Sequence, residues 1–368
     1  MVMNFFKDKN YLFLALIILY VNVNFLNLSP DMAFSLMEFV TLTTNVKELQ
    51  LTTGLDRIDG DSIIRMFDSA SPDVDIAIMD TGIEHDHPDL NVFDQHSVVD
   101  GSSPEPSSSC DHGTHVAGIA AAKNNEIGVV GVAPGAKLWS IKISECDPST
   151  GEPNAEFGAM MRGLDYVLAN ADEIDVLNIS QNENCRQTAC EEDDDYQELI
   201  NEIVARGVVV VNSAGNNGQD AIDYLPSRID DVITVSAISD TDGKCGGLGS
   251  SSSDGEDDTL ANQSNFGDVI DIAAPGIDIN STILSGKYGI KSGTSMAAPY
   301  VAGTAALIKA NNPGITPDEV LNIILDNAST VATQCNIEDP DNDGHGYFEG
   351  DRDDEPEPLL YIKNIITN

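Results

Sequence analysis

Four short stretches set a reactive side chain among small residues. Asp80 opens Asp-Thr-Gly, His112 opens His-Gly-Thr-His, Asn216 lies in Ala-Gly-Asn-Asn-Gly, and Ser295 lies in Gly-Thr-Ser-Met. Singly, each has an ordinary explanation: a turn after a strand, a capping or core histidine, a turn asparagine, a helix N-cap. Together they supply what acyl transfer needs. A serine hydroxyl is a poor nucleophile until a base takes its proton, and a neutral imidazole does so near pH 7. A buried carboxylate holds that imidazole in the right tautomer and stabilises its cation. A side-chain amide donates to the oxyanion that forms when the hydroxyl attacks a carbonyl.

The elements that must hold these residues are legible as a pattern. Apolar, β-branched runs at 74–80, 137–144, 174–180, 208–216, 231–239 and 269–276 predict buried strands. Between them, 112–122, 156–171, 195–207 and 294–310 predict helices. This alternation predicts an α/β fold of three layers, α/β/α, with a mainly parallel central sheet covered on both faces. In such a sheet, catalytic groups gather at the carboxyl ends of the strands. Asp80 and Asn216 follow strand ends, and His112 and Ser295 open helices, so all four are expected on one edge. Three acidic, loop-like insertions, 181–195, 242–258 and 338–358, interrupt this core.

Composition narrows the function classes. Lys and Arg total 18 against 61 Asp and Glu, a net charge of −43 over 368 residues. Nucleic-acid binding needs a basic face to neutralise phosphate, so it is not expected. Lys7 and Lys9 precede an apolar run, Tyr11–Val21, too short to span a bilayer comfortably. Residues 1–33 therefore predict a signal peptide, with an uncleaved N-terminal anchor as the alternative. Residues 34–52 predict a short pro-segment or linker, and 53–368 the folded domain. The expected location is secreted or extracytoplasmic, with a membrane tether through the N-terminus as the alternative. Export and six cysteines favour disulfides, in any of 15 connectivities. The run 339–344, Asp-Pro-Asp-Asn-Asp-Gly, matches the opening of a calcium loop. Its twelfth position is Gly350 where glutamate is needed, so a solvated loop is expected there.

The blocks DTGIEHDHPDL, HGTHVAGIAAA and GTSMAAPYVAG, in that order, resemble the three signature blocks of the subtilisin-like serine proteases. VVVVNSAGNNG resembles the block that carries that family's oxyanion-hole asparagine. The likeness runs over roughly residues 53–330. It implies a subtilisin-like fold and a monomeric endopeptidase acting on proteins or peptides. Asp80 would orient the base His112, Ser295 would be the nucleophile, Asn216 would support the oxyanion, and His115 would be structural. Ser180, Gln181, Asn182 and Gly215 would contact substrate. Family members usually carry a Gly-rich segment after this strand, whereas Gln181, Asn182 and an acidic insertion follow Ser180 here. The resemblance also implies structural calcium, held by Asp89 and Asn125 with carbonyls of Lys123, Ile127 and Val129, and no organic cofactor. Some members bridge cysteines at the places of Cys110 and Cys146. Cys185 and Cys190 would then close a small loop, leaving Cys245 for Cys335.

Two rival chemistries fit less well. An aspartic protease needs two Asp-Thr-Gly carboxylates, and only Asp80 sits in one. An α/β-hydrolase places its serine in Gly-x-Ser-x-Gly, ahead of the acid and the histidine in the chain. Here the order is Asp, His, Ser.

Overall fold

The structure is a computed structural model that describes residues 52–60, 71–147, 149–150, 153–185, 193–335, 346–350, 352–353 and 356–366. The expected leader and most of the segment after it, Cys190 and the 339–344 run lie outside the described residues.

Besides a small hairpin of Ser144–Cys146 with Pro153–Ala155, twelve strands occur in chain order among the described residues. They are β1 (Asp75–Asp80), β2 (Val92–Ser97), β3 (Lys137–Lys142), β4 (Val176–Ile179), β5 (Glu183–Asn184), β6 (Val209–Ser213), β7 (Tyr224–Leu225), β8 (Ile233–Ser239), β9 (Thr259–Leu260), β10 (Ile272–Pro275), β11 (Ile279–Ile283) and β12 (Lys287–Lys291). The α-helices are α1 (Thr53–Arg57), α2 (His112–Ala121), α3 (Phe157–Ala169), α4 (Asp193–Ala205), α5 (Thr294–Asn311), α6 (Pro317–Asn327) and α7 (Lys363–Ile366).

The main sheet has the order β9-β8-β6-β4-β1-β3-β2, with β10 also paired to β8. Every pairing in it is parallel except β8 with β9. Alternation along the strands builds the layers, because successive side chains point to opposite faces. Ile76, Ile78, Leu138, Val176, Val209 and Val211 face one core, shared with α2, α5 and α6. Ala77, Met79, Ile141, Leu177, Ile179 and Val210 face the other, shared with α3 and α4. All six β1 residues and all seven β8 residues are buried. Each such Ile, Val or Leu contributes about 1.5–3 kcal/mol of burial. These continuous apolar runs are why the strands read so clearly from sequence.

Some boundaries differ from expectation. The run 137–144 is not one strand: β3 stops at Lys142, and Ser144–Cys146 turns away into the small hairpin. Helix α4 begins at Asp193 rather than 195, so the end of the first insertion is helical. The acidic residues there fall in the first turn, where the helix dipole favours negative charge. The third insertion, expected to be loop-like, also contributes to packing: Phe348 within it and Leu359 just after it are buried with Ile238, Leu260 and Ala273 in a small separate core. The second insertion is tethered by a Cys245–Cys335 disulfide. Among the described residues no helix is long and apolar enough to cross a membrane.

Candidate active site

Asp80 closes β1 and is fully buried. His112 is the first residue of α2, and its Nδ1 lies 2.8 Å from Asp80 Oδ1 and 2.9 Å from Oδ2. The carboxylate also accepts the Thr81 N–H, at 2.7 Å. Helix α2 is drawn onto the strand end by the Gly113 N–H, which donates to Thr81 Oγ1 at 2.9 Å. The approach is close: a Cβ on Gly113 would sit 2.5 Å from the Gly82 carbonyl oxygen and 3.1 Å from Asp80 Cβ. The glycine of His-Gly-Thr-His is what lets the ring reach its carboxylate. With Nδ1 held by an acceptor, the imidazole carries its proton there and leaves Nε2 as the base. Cys110, two residues earlier, is bonded to Cys146 and fixes the chain entering α2.

Ser295 is the second residue of α5 and is nearly buried. Its Oγ donates to the Ser180 carbonyl, 3.4 Å away, at the end of β4. The contact is reciprocal. Pro299 lies within α5 and has no N–H, so the carbonyl four residues earlier, that of Ser295, lacks its helical donor. The Ser180 hydroxyl donates to that carbonyl instead, at 3.5 Å. No hydrogen bond joins Ser295 Oγ to His112 among the described residues. Asn216, exposed and just past β6, accepts the Thr294 N–H at 2.8 Å. The neighbouring Gly215 is buried, and its N–H donates to Thr294 Oγ1 at 3.1 Å. The strand ends of β1, β4 and β6 thus meet the N-termini of α2 and α5.

Of the expected substrate residues, Ser180 and Gly215 touch the start of α5, Asn182 is bonded across to Ser213, and Gln181 is half-buried. His115 lies inside: its Nε2 is 3.0 Å from the carbonyls of both Ile279 and Gly289, and its Nδ1 has no hydrogen-bond partner. Burial lowers its pKa to about 3, helped by the nearby His112 and Lys291.

The residues expected to hold calcium are also gathered. Asp89 is fully buried, and its Oδ2 accepts the Val129 N–H at 3.3 Å. Its Oδ1 accepts no hydrogen bond. Lys123 N–H donates to the Asp89 carbonyl at 2.9 Å, and Asn125 Oδ1 accepts the Ile127 N–H at 3.1 Å. Burial pushes the Asp89 carboxyl up, opposed by Val129, Tyr288 and Asn125. Tyr288, on β12, was not singled out by sequence reasoning, and no local pattern marks it. A buried carboxylate oxygen without a partner, beside an amide and a loop of carbonyls, fits a hard cation. A second acidic group, Asp240, Asp242 and Asp257, lies in and next to the second insertion. Burial pushes Asp240 up to about 8 against the pull of Arg57, 2.9 Å away. These carboxylates serve their own loop: Asp240 accepts the Gly243 N–H, and Asp257 those of Thr241 and Gly249. Cys185 is disulfide-bonded, and the expected partner Cys190 lies outside the described residues.

Fold and site together define a class: a three-layer α/β/α protein with Asp, His, Ser and Asn converging at the carboxyl edge of a parallel sheet. Residues 71–348 match the Subtilase family, and the chain belongs to that family. It is 35% identical over 251 residues to Subtilisin NAT of Bacillus subtilis subsp. natto, covering 67% of this chain and 58% of that one. Subtilisin BL of Lederbergia lenta is 34% identical over 260 residues, covering 71% and 85%. The chain's match thus spans 58% of the length of Subtilisin NAT and of Subtilisin E. A solved cold adapted subtilisin-like serine proteinase shares the fold, with a TM-score of 0.60 and 24% identity over 84% of this chain and 98% of that one.

Proposed function

We propose that the protein is a serine endopeptidase that cleaves peptide bonds through an acyl-enzyme. The observation that carries this is the clamp of Asp80 on His112 Nδ1 at the strand edge where Ser295 opens α5. Asp80 fixes the ring and stabilises its cation. His112 Nε2 takes the proton of Ser295 Oγ once that hydroxyl leaves the Ser180 carbonyl, and the alkoxide attacks the substrate carbonyl. The same proton then passes from His112 to the leaving amine. Asn216 Nδ2 and the Ser295 N–H, one of the unpaired donors at a helix start, stabilise the oxyanion. Water repeats the sequence on the acyl-enzyme.

Calcium would be held by Asp89, Asn125 and the carbonyls of Lys123, Ile127 and Val129. Its role would be to neutralise a buried carboxylate and brace the loop after α2. Residues 53–368 act as the peptidase domain, preceded by a signal peptide or anchor over 1–33 and a short pro-segment or linker over 34–52. The enzyme works as a monomer outside the cytoplasm on proteins or peptides. Hydrolysis of an unfolded protein such as casein tests this: the wild type should cleave it, and Ser295→Ala should reduce the rate to background. Equal rates in the two proteins would refute the proposal.

A further inference from the structure

The two strand ends beside Ser295 are joined by one side chain. β4 and β6 are parallel neighbours, with Ile179 opposite Asn212. Past the ends of these strands the chain continues as 180–184 and, from Ser213 at the end of β6, as 214–217. Ser180 meets Ser295 from one side, and Asn216 holds Thr294 from the other. A carbonyl presented to both Ser295 and Asn216 therefore lies over the mouth of the gap between these segments. An inward side chain on the residue owning that carbonyl enters the gap.

Asn182 crosses this gap. Its Nδ2 donates to the Ser213 carbonyl at 2.9 Å and to Ser213 Oγ at 3.2 Å. Its Oδ1 accepts from Ser227 Oγ at 3.0 Å and from Asn212 Nδ2 at 3.1 Å. Both ends of the amide are thus tied to the far wall. Its Nδ2 is 3.8 Å from the place a Cβ on Gly215 would occupy. A second bridge lies at the next residues. Asn184 is opposite Tyr224 in the β5–β7 pair and donates to its hydroxyl at 3.0 Å, and that hydroxyl donates to Gln219 Oε1 at 3.0 Å.

We propose that Asn182 is a specificity-determining crossbar, which restricts the substrate residue on the acyl side of the scissile bond to Gly, Ala or Ser. The proposal rests on Ser295 being the nucleophile. A methyl or hydroxymethyl side chain ends above the amide. A leucine or phenylalanine has to displace it and break four hydrogen bonds in a polar network that it cannot replace.

Peptide anilides that differ only at this residue test the limit. Ala and Ser substrates should exceed Phe by about tenfold or more in kcat/KM. Asn182→Gly should raise the Phe-to-Ala ratio by about tenfold, and Asn182→Ala by less. The ratio within one preparation cancels any difference in folded fraction. Phe or Leu substrates cleaved as fast as Ala, or a ratio unchanged in both variants, would overturn the crossbar. The same peptides are also bound to Ser295→Ala protein, read by fluorescence anisotropy. There Ala should bind more tightly than Phe, and adding Asn182→Gly should narrow the difference; Phe binding as tightly as Ala overturns the crossbar. Hydrolysis that does not depend on Ser295 counts against the catalytic reading alone, and the binding arm still judges the gap.

Discussion

Both the backbone N–H and the hydroxyl of Thr294 donate to Asn216 Oδ1, at 2.8 and 3.1 Å. The amide oxygen is occupied by the helix that carries Ser295, so the amide's orientation is fixed and Nδ2 is left as a donor. Gly293 makes room for it: its φ of 143° is a conformation side chains rarely adopt, and a Cβ there would sit 3.1 Å from Nδ2. Asn216→Ala should lower kcat by about 10²–10³ with little change in KM, the signature of a donor used only in the transition state. Steady-state kinetics on one peptide substrate reads this. A loss confined to KM would place Asn216 in ground-state binding instead.

Asp80 accepts from His112 through both oxygens within 2.9 Å. Asp80→Asn keeps the shape but turns an acceptor toward a donor, so the ring loses its tautomer. A fall of about 10⁴ in kcat is expected. A fall of less than tenfold, measured on folded protein, would remove Asp80 from the machinery.

Asp89 places an unpaired carboxylate oxygen in the interior. Calcium should therefore raise the melting temperature, and a chelator should lower it. In Asp89→Asn the difference between the two conditions should largely vanish. Calorimetry with and without calcium checks this, and an undiminished calcium effect in the variant would relocate the ion.

His115 makes stability depend on pH. An unfolded histidine takes a proton near pH 6.5, whereas the folded protein withholds it until about pH 3. The unfolded state thus binds more protons between these values, and stability falls as pH falls, by about 1.4 kcal/mol per unit. His115→Gln keeps an N–H donor without a titrating ring. Denaturant unfolding from pH 6 to 4 should show a shallower slope for the variant by close to one proton. Equal slopes would contradict the buried, neutral ring.

Sequence carried the centre of this protein and lost its rim. The strands of the sheet core were legible because burial on both faces leaves runs such as Ile76–Met79 and Val208–Val211 with no polar break. The edge strand β2, Val-Phe-Asp-Gln-His-Ser, was missed because a half-exposed strand tolerates Asp94, Gln95 and His96. The hairpin β11–β12 was missed because its Ser281 and Thr282 serve the His115 and Thr114 carbonyls rather than an apolar core. Helix α6 had a readable start, a Thr316–Glu319 capping box with Pro317 at its first position, that went unread. At the site, motif and spacing pointed to Asp80, His112, Asn216 and Ser295. They could not show that Asn182 bridges two strands, because that depends on where Ser213 and Ser227 arrive in space.

The most direct measurement is covalent labelling by a fluorophosphonate, which reacts with a serine only when a base and an oxyanion site activate it. The wild type should be labelled once, at Ser295 by peptide mass mapping, while Ser295→Ala stays unlabelled and His112→Ala is labelled far more slowly. Labelling elsewhere in the chain, or equal labelling of wild type and Ser295→Ala, would contradict the account.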